Sequence, residues 1–267
     1  MIVVRILGGL GNQMFQYAYA RALQQKGYEV TLGLSKIKTY KLHGGYQLDH
    51  FKIGLEAASP ITSFLGNIQL KKNRKENSLL FDKSLLHLSG NEFVKGYFQS
   101  EKYFLGIRER LLEEFVIQKE LSETTKMYRT TIESETSSCS LHIRRGDYIS
   151  NKKTNTVHGT CGLDYYKEAI SILLEKHQET HFFVFSDDIS WTKENLKIEN
   201  ATFIDHTTIP HEDLYLMSLC KNNITANSSF SWWGAWLNNN KQKTVISPKK
   251  WFVNTENEIA CENWIRL

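Results

Sequence analysis

The chain has 267 residues, 41% of them hydrophobic and 23% charged, which suits two modest α/β domains or one large one and excludes an intrinsically disordered chain. Its net charge of +4 is too mild for the basic stripe of a nucleic-acid binder, and fits an anionic small molecule or a membrane surface equally. No window approaches the roughly 20 apolar residues of a membrane span, and residues 1–7, interrupted by Arg5, run into a glycine loop and not into a secretory cleavage site.

Residues 2–7 form a β-branched run that stops at Gly8-Gly9, as a buried parallel strand would. The next segment puts Phe15, Ala18, Tyr19, Ala22 and Leu23 on one helical face, and Gly27 closes it. Residues 28–34 read as a second strand. Residues 35–88 are polar and weakly periodic, which predicts loops and short helices. A strand is expected over 92–98, then a helix that turns Phe104, Ile107, Leu111, Leu112 and Phe115 inward. Residues 122–138 are rich in Thr, Ser and Glu, and this shift in composition places a domain boundary there, dividing the chain into 1–130 and 131–267.

The second half alternates more regularly. Strands are expected at 140–143, 181–185, 201–204, 224–226 and 244–246. Between them lie a helix with the stripe Tyr166, Ala169, Ile170, Leu173 and Leu174, a buried helix at 212–220, and a helix at 231–237. Strands alternating with helices imply parallel sheets covered on both faces. In such sheets ligands bind beyond the carboxyl ends of the strands. Four polar motifs sit at those ends and predict a cleft.

The first motif, Gly8-Gly9-Leu10-Gly11-Asn12-Gln13, joins a strand to a helix and lets backbone approach an anion, although it matches neither G-x-G-x-x-G nor the P-loop. The second is His142-Ile143-Arg144-Arg145-Gly146-Asp147-Tyr148. Adjacent arginines at a strand end are costly to bury unless something anionic meets them. Strand alternation puts His142 and Arg144 on one face and Arg145 on the other, so one arginine can face a diphosphate while the other pairs with Asp147. The third, Ser186-Asp187-Asp188, lacks the Asp-x-Asp of a metal site. One aspartate can accept from a base or ribose, and one can cap the helix that follows. The fourth, Asn227-Ser228-Ser229-Phe230-Ser231, opens a helix and offers hydroxyls and N–H groups to phosphate. Trp232, Trp233 and Trp236 read as core. His43, His50, His158 and His211 are isolated. Cys139, Cys161, Cys220 and Cys261 form no Cys-x-x-Cys pair and read as reduced thiols of a cytoplasmic protein, not as a zinc site.

Taken together these blocks resemble the bacterial α-1,2-fucosyltransferases, glycosyltransferase family eleven. The matching segments are 9–17 (Gly-Leu-Gly-Asn-Gln-Met-Phe-Gln-Tyr), 96–100 (Gly-Tyr-Phe-Gln-Ser), 142–148, 164–166, 185–188 and 212–236, in order and spanning nearly the whole chain. The most specific is Ala-Asn-Ser-Ser-Phe-Ser-Trp-Trp-Gly-Ala-Trp-Leu over 226–237.

The resemblance implies a GT-B fold, two facing Rossmann-like domains, with 1–130 on the acceptor side and 131–267 binding the GDP-sugar. It implies inverting, metal-independent transfer of L-fucose from GDP-β-L-fucose to the 2-hydroxyl of a galactose-type acceptor in an oligosaccharide or glycolipid. It implies no cofactor and no nucleic-acid partner. The implied setting is O-antigen or lipopolysaccharide synthesis in the cytoplasm, with attachment to the inner membrane face as an open alternative. The implied donor-binding residues are Gly9, Gly11, Asn12, His142, Arg144, Asp187, Asp188, Asn227, Ser228, Ser229, Phe230 and Ser231. Similarity of the His-x-Arg-Arg-x-Asp block to α-1,6- and protein O-fucosyltransferases assigns the diphosphate to Arg144. The base is open: Asp147 lies within the motif, where it can instead hold an arginine, and Glu101 and Asp49 are candidates from the acceptor half. Transfer of another linkage or another GDP-sugar, and a non-catalytic nucleotide-sugar or glycan binder, are the competing readings.

Overall fold

The computed structural model describes residues 1–37, 44–58, 72–146, 159–205 and 209–267. The chain divides into two compact units, Met1–Lys119 with Glu256–Cys261, and Glu120–Thr255 with Glu262–Leu267.

Unit 1 carries β1 (Ile2–Arg5), α1 (Leu10–Gln25), β2 (Val30–Gly33), β3 (Lys72–Lys75), β4 (Glu92–Lys95) and α2 (Arg108–Glu114). The strands form one parallel sheet in the order β2-β1-β4-β3. Ile2, Val3 and Val4 are all buried, so β1 is a central strand with both faces covered. α1 is buried over most of its circumference, and its interior includes the amides Gln13 and Gln16. Gly27, at φ 90°, ends that helix as expected.

A polar network ties α1 to α2. Arg21 donates to both Glu114 oxygens from Nε (2.8 and 3.1 Å) and from Nη2 to Oε1 (2.7 Å), while the Tyr17 hydroxyl donates to Glu114 Oε2 (2.5 Å). The Gly54 N–H in turn donates to the Tyr17 hydroxyl at 2.8 Å. Burial and the Glu114 carboxylate push the Tyr17 hydroxyl above its usual range, so it stays a donor.

The expectation of loops and short helices over 35–88 holds at the 3-10 turns Leu48–His50 and Lys83–Leu86. It misses β3, whose sequence Lys-Asn-Arg-Lys is exposed throughout. β3 is the edge of the sheet, where charged side chains carry no apolar alternation and discourage further pairing.

Unit 2 carries α3 (Glu123–Ser134), β5 (Ser138–Ile143), α4 (Leu163–Lys176), β6 (His181–Ser186), α5 (Ile189–Asn195), β7 (Ala201–Ile204), α6 (Pro210–Leu219), β8 (Asn222–Ile224), α7 (Ser229–Leu237), β9 (Val245–Ser247) and β10 (Ile265–Arg266). All pairings are parallel, in the order β10-β9-β8-β5-β6-β7. The chain lays down β5, β6 and β7 toward one edge, then returns to place β8, β9 and β10 on the other side of β5. The order therefore reverses between β5 and β8, the topological switch point of a Rossmann-like sheet. Both units match the expected α/β class with parallel sheets.

The division falls between Lys119 and Glu120, earlier than the boundary expected at 130, and residues 256–261 return to unit 1. The stretch read as a compositional break is largely α3. Its Ser122 caps the helix by accepting from the Thr125 N–H (3.2 Å). Ser122 and Thr125 then donate their hydroxyls to Glu212 Oε2, each at 2.7 Å, which fastens α3 to α6. Thr and Ser that look like linker residues are here caps and buried hydrogen-bond donors.

Replacing Glu114 by Ala leaves Arg21 and the Tyr17 hydroxyl without their acceptor in a site whose ion-pair side chains are 13% and 8% exposed. The expected loss is about 3–5 kcal/mol, read as a lower urea midpoint with unchanged m-value.

Candidate active site

The switch point of unit 2 gathers three of the motifs. β5 is buried over all six residues, and its register sets Ile143 beside Ser186 and Leu141 beside Ile224. The residues leaving β5, β6 and β8 thus emerge side by side. Arg144 Nη1 lies 3.0 Å from Asp187 Oδ2, and the Arg145 N–H donates to Asp187 Oδ1 at 2.8 Å. One carboxylate therefore holds the first arginine by its side chain and the second by its backbone. Gly146 makes this approach feasible, because a Cβ there would lie 2.7 Å from Asp187 Oδ2.

The Arg145 side chain goes elsewhere. Its guanidinium carbon sits 3.3 Å from the centroid of the Trp191 ring, and its Nε is 3.6 Å from Asp188 Oδ2, an ion pair longer than a hydrogen bond. Asp188 also caps α5 by accepting from the Trp191 N–H at 3.2 Å. The expectation that one of the two aspartates caps this helix is met by Asp188. The expected partner of the second arginine, Asp147, lies with Tyr148 outside the described residues. The partners seen for both arginines are Asp187 and Asp188.

His142 is 5% exposed, and its Nδ1 has no hydrogen-bond partner among the described residues. Burial, reinforced by the positive charge of Arg144 and opposed by Asp187, pushes its pKa down to about 4. The ring is therefore neutral at pH 7. Its centroid lies 5.8 Å from that of Phe230, which places the end of β5 against the first turn of α7.

Ser228 is the N-cap of α7, and its hydroxyl accepts from the Phe230 N–H at 3.3 Å. Ser231 donates its hydroxyl to the Ser228 carbonyl at 3.3 Å. The helix start carries the partial positive charge of its unpaired N–H groups. Ser229 and Phe230 are half-buried there. Asn227 is committed to the protein. Its amide donates to the carbonyls of Gly159 (3.3 Å) and Trp251 (3.4 Å), and its oxygen accepts from the Cys161 thiol at 3.5 Å. Trp232, Trp233 and Trp236 are buried and pack on one another, with centroids 4.9 to 6.0 Å apart.

Unit 1 holds the glycine loop. Gly8 has φ 92°, and a Cβ there would lie 2.9 Å from Asn12 Nδ2. Gly9 is the N-cap position of α1, which starts without a side-chain cap, and Gly11 lies in its first turn. Gln13 donates to the Gly8 carbonyl (2.9 Å) and the Gly45 carbonyl (2.8 Å), and the Leu7 N–H donates to Gln16 Oε1 (2.8 Å). Asn12 Oδ1 accepts from Gln99 Nε2 at 2.8 Å. Among the alternative bases, Asp49 is exposed and Glu101 half-buried. No three His, Cys, Asp or Glu side chains gather as a metal site among the described residues.

A family model described as Glycosyl transferase family 11 matches residues 1–267. The chain belongs to glycosyltransferase family 11. An alpha-1,2-colitosyltransferase of Escherichia coli is 36% identical over 293 residues, covering 100% of this chain and 99% of the relative. The O-antigen biosynthesis glycosyltransferase WbnK of Escherichia coli is 32% identical, covering 97% and 98%. A galactoside alpha-(1,2)-fucosyltransferase 2 of Rattus norvegicus is 23% identical over 89% of this chain and 67% of its own. Fucosyltransferase NodZ from Bradyrhizobium shares the fold, with a TM-score of 0.51 at 12% identity over 87% of this chain and 91% of that one.

In this family 11 chain, sequence reasoning missed Trp191 as the platform for Arg145 and Gly146 as the spacer that admits Asp187. The glycine of Arg-Arg-Gly-Asp was the available signal for a close approach.

The depressed pKa of His142 carries a sign. The folded pKa of about 4 lies below the ordinary 6.5, so between those values the unfolded chain binds a proton that the folded chain refuses. Stability is expected to be complete above pH 6.5 and to fall as pH drops toward 4. His142→Asn, which cannot take that proton, is expected to flatten this part of a urea-midpoint profile. An unchanged slope would clear His142 of the effect.

Proposed function

We propose that this chain transfers L-fucose, or the sugar colitose named for its Escherichia coli relative, from a GDP-linked donor to the 2-hydroxyl of a galactose-type unit in a surface glycan. In this reading unit 2 holds the GDP and unit 1 takes the acceptor. The observation that carries it is Arg144 held at the end of β5 by Asp187 (3.0 Å), with the neighbouring His142 ring 5.8 Å from Phe230 in the first turn of α7. A guanidinium and a helix N-terminus brought to one switch point suit a diphosphate.

The chemistry follows from charge. As the bond between the sugar and the diphosphate breaks, GDP takes on negative charge. Arg144 and the N–H groups of the first turn of α7 are fixed donors for it, and no metal is required of them. The acceptor oxygen attacks the anomeric carbon from the side opposite the leaving diphosphate, which inverts the configuration. Its proton passes to a base, for which Asp147, Glu101 and Asp49 are the proposed carboxylates. The name of WbnK favours an O-antigen acceptor and with it a place at the cytoplasmic face of the membrane. No helix among the described residues is long and apolar enough to cross that membrane.

Arg144→Ala is expected to lower kcat by about 10²- to 10³-fold, the scale of losing one transition-state donor. Near-normal turnover would remove Arg144 from the diphosphate. Transfer is expected to survive EDTA, and loss restored by magnesium or manganese would count against metal independence. Incubating GDP-fucose and GDP-colitose with a panel of galactosides, followed by linkage analysis, separates the donors and tests the α-1,2 product. Binding of both donors without turnover would favour a nucleotide-sugar binding protein.

A further inference from the structure

The loop that follows β4, residues 96–99, is fixed by side chains from three directions. The Gly96 carbonyl accepts from Gln16 Nε2 at 3.1 Å. The Glu76 carboxylate accepts from the N–H of Tyr97 (2.7 Å) and of Phe98 (3.1 Å). Gln99 donates to Asn12 at 2.8 Å. The backbone is also forced. Phe98 has φ 54°, a left-handed conformation that a bulky residue rarely takes, and a Cβ on Gly96 would lie 2.7 Å from Glu76 Cβ.

This geometry sends two adjacent rings in opposite directions. Phe98 is wholly buried and stacks on Tyr19 with centroids 3.9 Å apart. Tyr97 is 42% exposed, and its hydroxyl has no hydrogen-bond partner among the described residues. The exposed large apolar side chains among the described residues are Tyr97, Leu105, Val116, Met127 and Val253, and of these only Tyr97 is aromatic. It stands at the carboxyl end of β4, beside β1, where the strand order of unit 1 reverses and ligands of parallel sheets bind. Fixing a connecting turn does not require a half-buried carboxylate, a left-handed phenylalanine and two amides. Presenting one ring in one orientation does.

We propose that Tyr97 contacts the acceptor, its ring being the platform on which a sugar ring of the glycan stacks, and that Glu76 is the positioning residue that holds it. A pyranose has a face of C–H bonds with weakly positive potential, which complements the electron-rich face of a phenol. This assignment rests on the reading that the chain transfers sugar to a galactoside. It deepens that reading by naming what grips the acceptor in unit 1.

Wild type, Tyr97→Phe, Tyr97→Ala, Glu76→Ala and the double variant Tyr97→Ala/Glu76→Ala are compared in transfer to lactose and other galactosides, with GDP affinity measured by calorimetry. Tyr97→Ala is expected to raise the acceptor KM about tenfold, the scale of one aromatic contact, with kcat and GDP affinity unchanged. Tyr97→Phe, which keeps the ring, is expected to stay within about twofold of wild type. Glu76→Ala is expected to raise the same KM, and the double variant to add little beyond the single ones, because both act through one contact. An acceptor KM for Tyr97→Ala within twofold of an active wild type overturns the inference alone, as does a loss that appears in GDP affinity. Additive effects overturn the role given to Glu76. A wild type that transfers to no galactoside overturns the reading of function, and this inference with it.

Discussion

Arg144 and Arg145 leave the end of a strand that is buried over its whole length, and their side chains are half-buried, 28% and 21% exposed. A guanidinium in such a place must be matched by an anion. Asp187 supplies it for the Arg144 side chain at 3.0 Å and also accepts from the Arg145 N–H at 2.8 Å, while the Arg145 guanidinium has Asp188 at 3.6 Å. The other parts of the site arrange themselves around that carboxylate. Gly146 has no side chain because Asp187 occupies the space, and Arg145 turns onto Trp191. His142 is held neutral chiefly by burial, with the neighbouring Arg144 charge adding to the effect.

The parallel sheets decide where such groups can meet. In each unit the chain starts in a central strand, fills one side, and returns to fill the other, so two loops diverge from a single gap at the carboxyl edge. In unit 2 the gap lies between β5 and β8 and receives Arg144 and the start of α7. In unit 1 it lies between β1 and β4 and receives the glycine loop and residues 96–99. Side-chain amides, two buried and two half-buried, stiffen the second gap. Gln13, Gln16, Asn12 and Gln99 all spend side-chain hydrogen bonds on holding loops.

Much of this was legible in the sequence, and what was hidden has physical causes. The β-branched opening, the glycine loop, the Arg-Arg motif and the Asn-Ser-Ser-Phe-Ser helix start each carry a local signal, and each sits at the strand or helix end expected of it. The pairing of Arg144 with Asp187 was not legible, because it depends on the register that sets Ile143 beside Ser186 across 43 residues of chain. Sequence neighbours drew attention to Asp147 instead. β3 escaped because an exposed edge strand has no apolar period. α3 escaped because its Ser and Thr residues imitate a linker until Glu212, some 90 residues away, is brought to them.

The short segment Glu256–Cys261 gives the chain an interleaved architecture. It belongs to unit 1, where Asn257 bridges Leu79, and Glu258 accepts from the Phe81 N–H at 3.1 Å and pairs with Lys102 at 3.4 Å. Six residues later the chain is again in unit 2, closing its sheet with β10. Neither unit is therefore a continuous stretch of gene. A recombination event, natural or engineered, that joins the front of one family 11 enzyme to the back of another separates unit 1 from its own final segment. Exchange of an intact unit 1 between such enzymes needs two crossovers more than a single junction near residue 120 provides, with residues 256–261 travelling alongside the amino-terminal part.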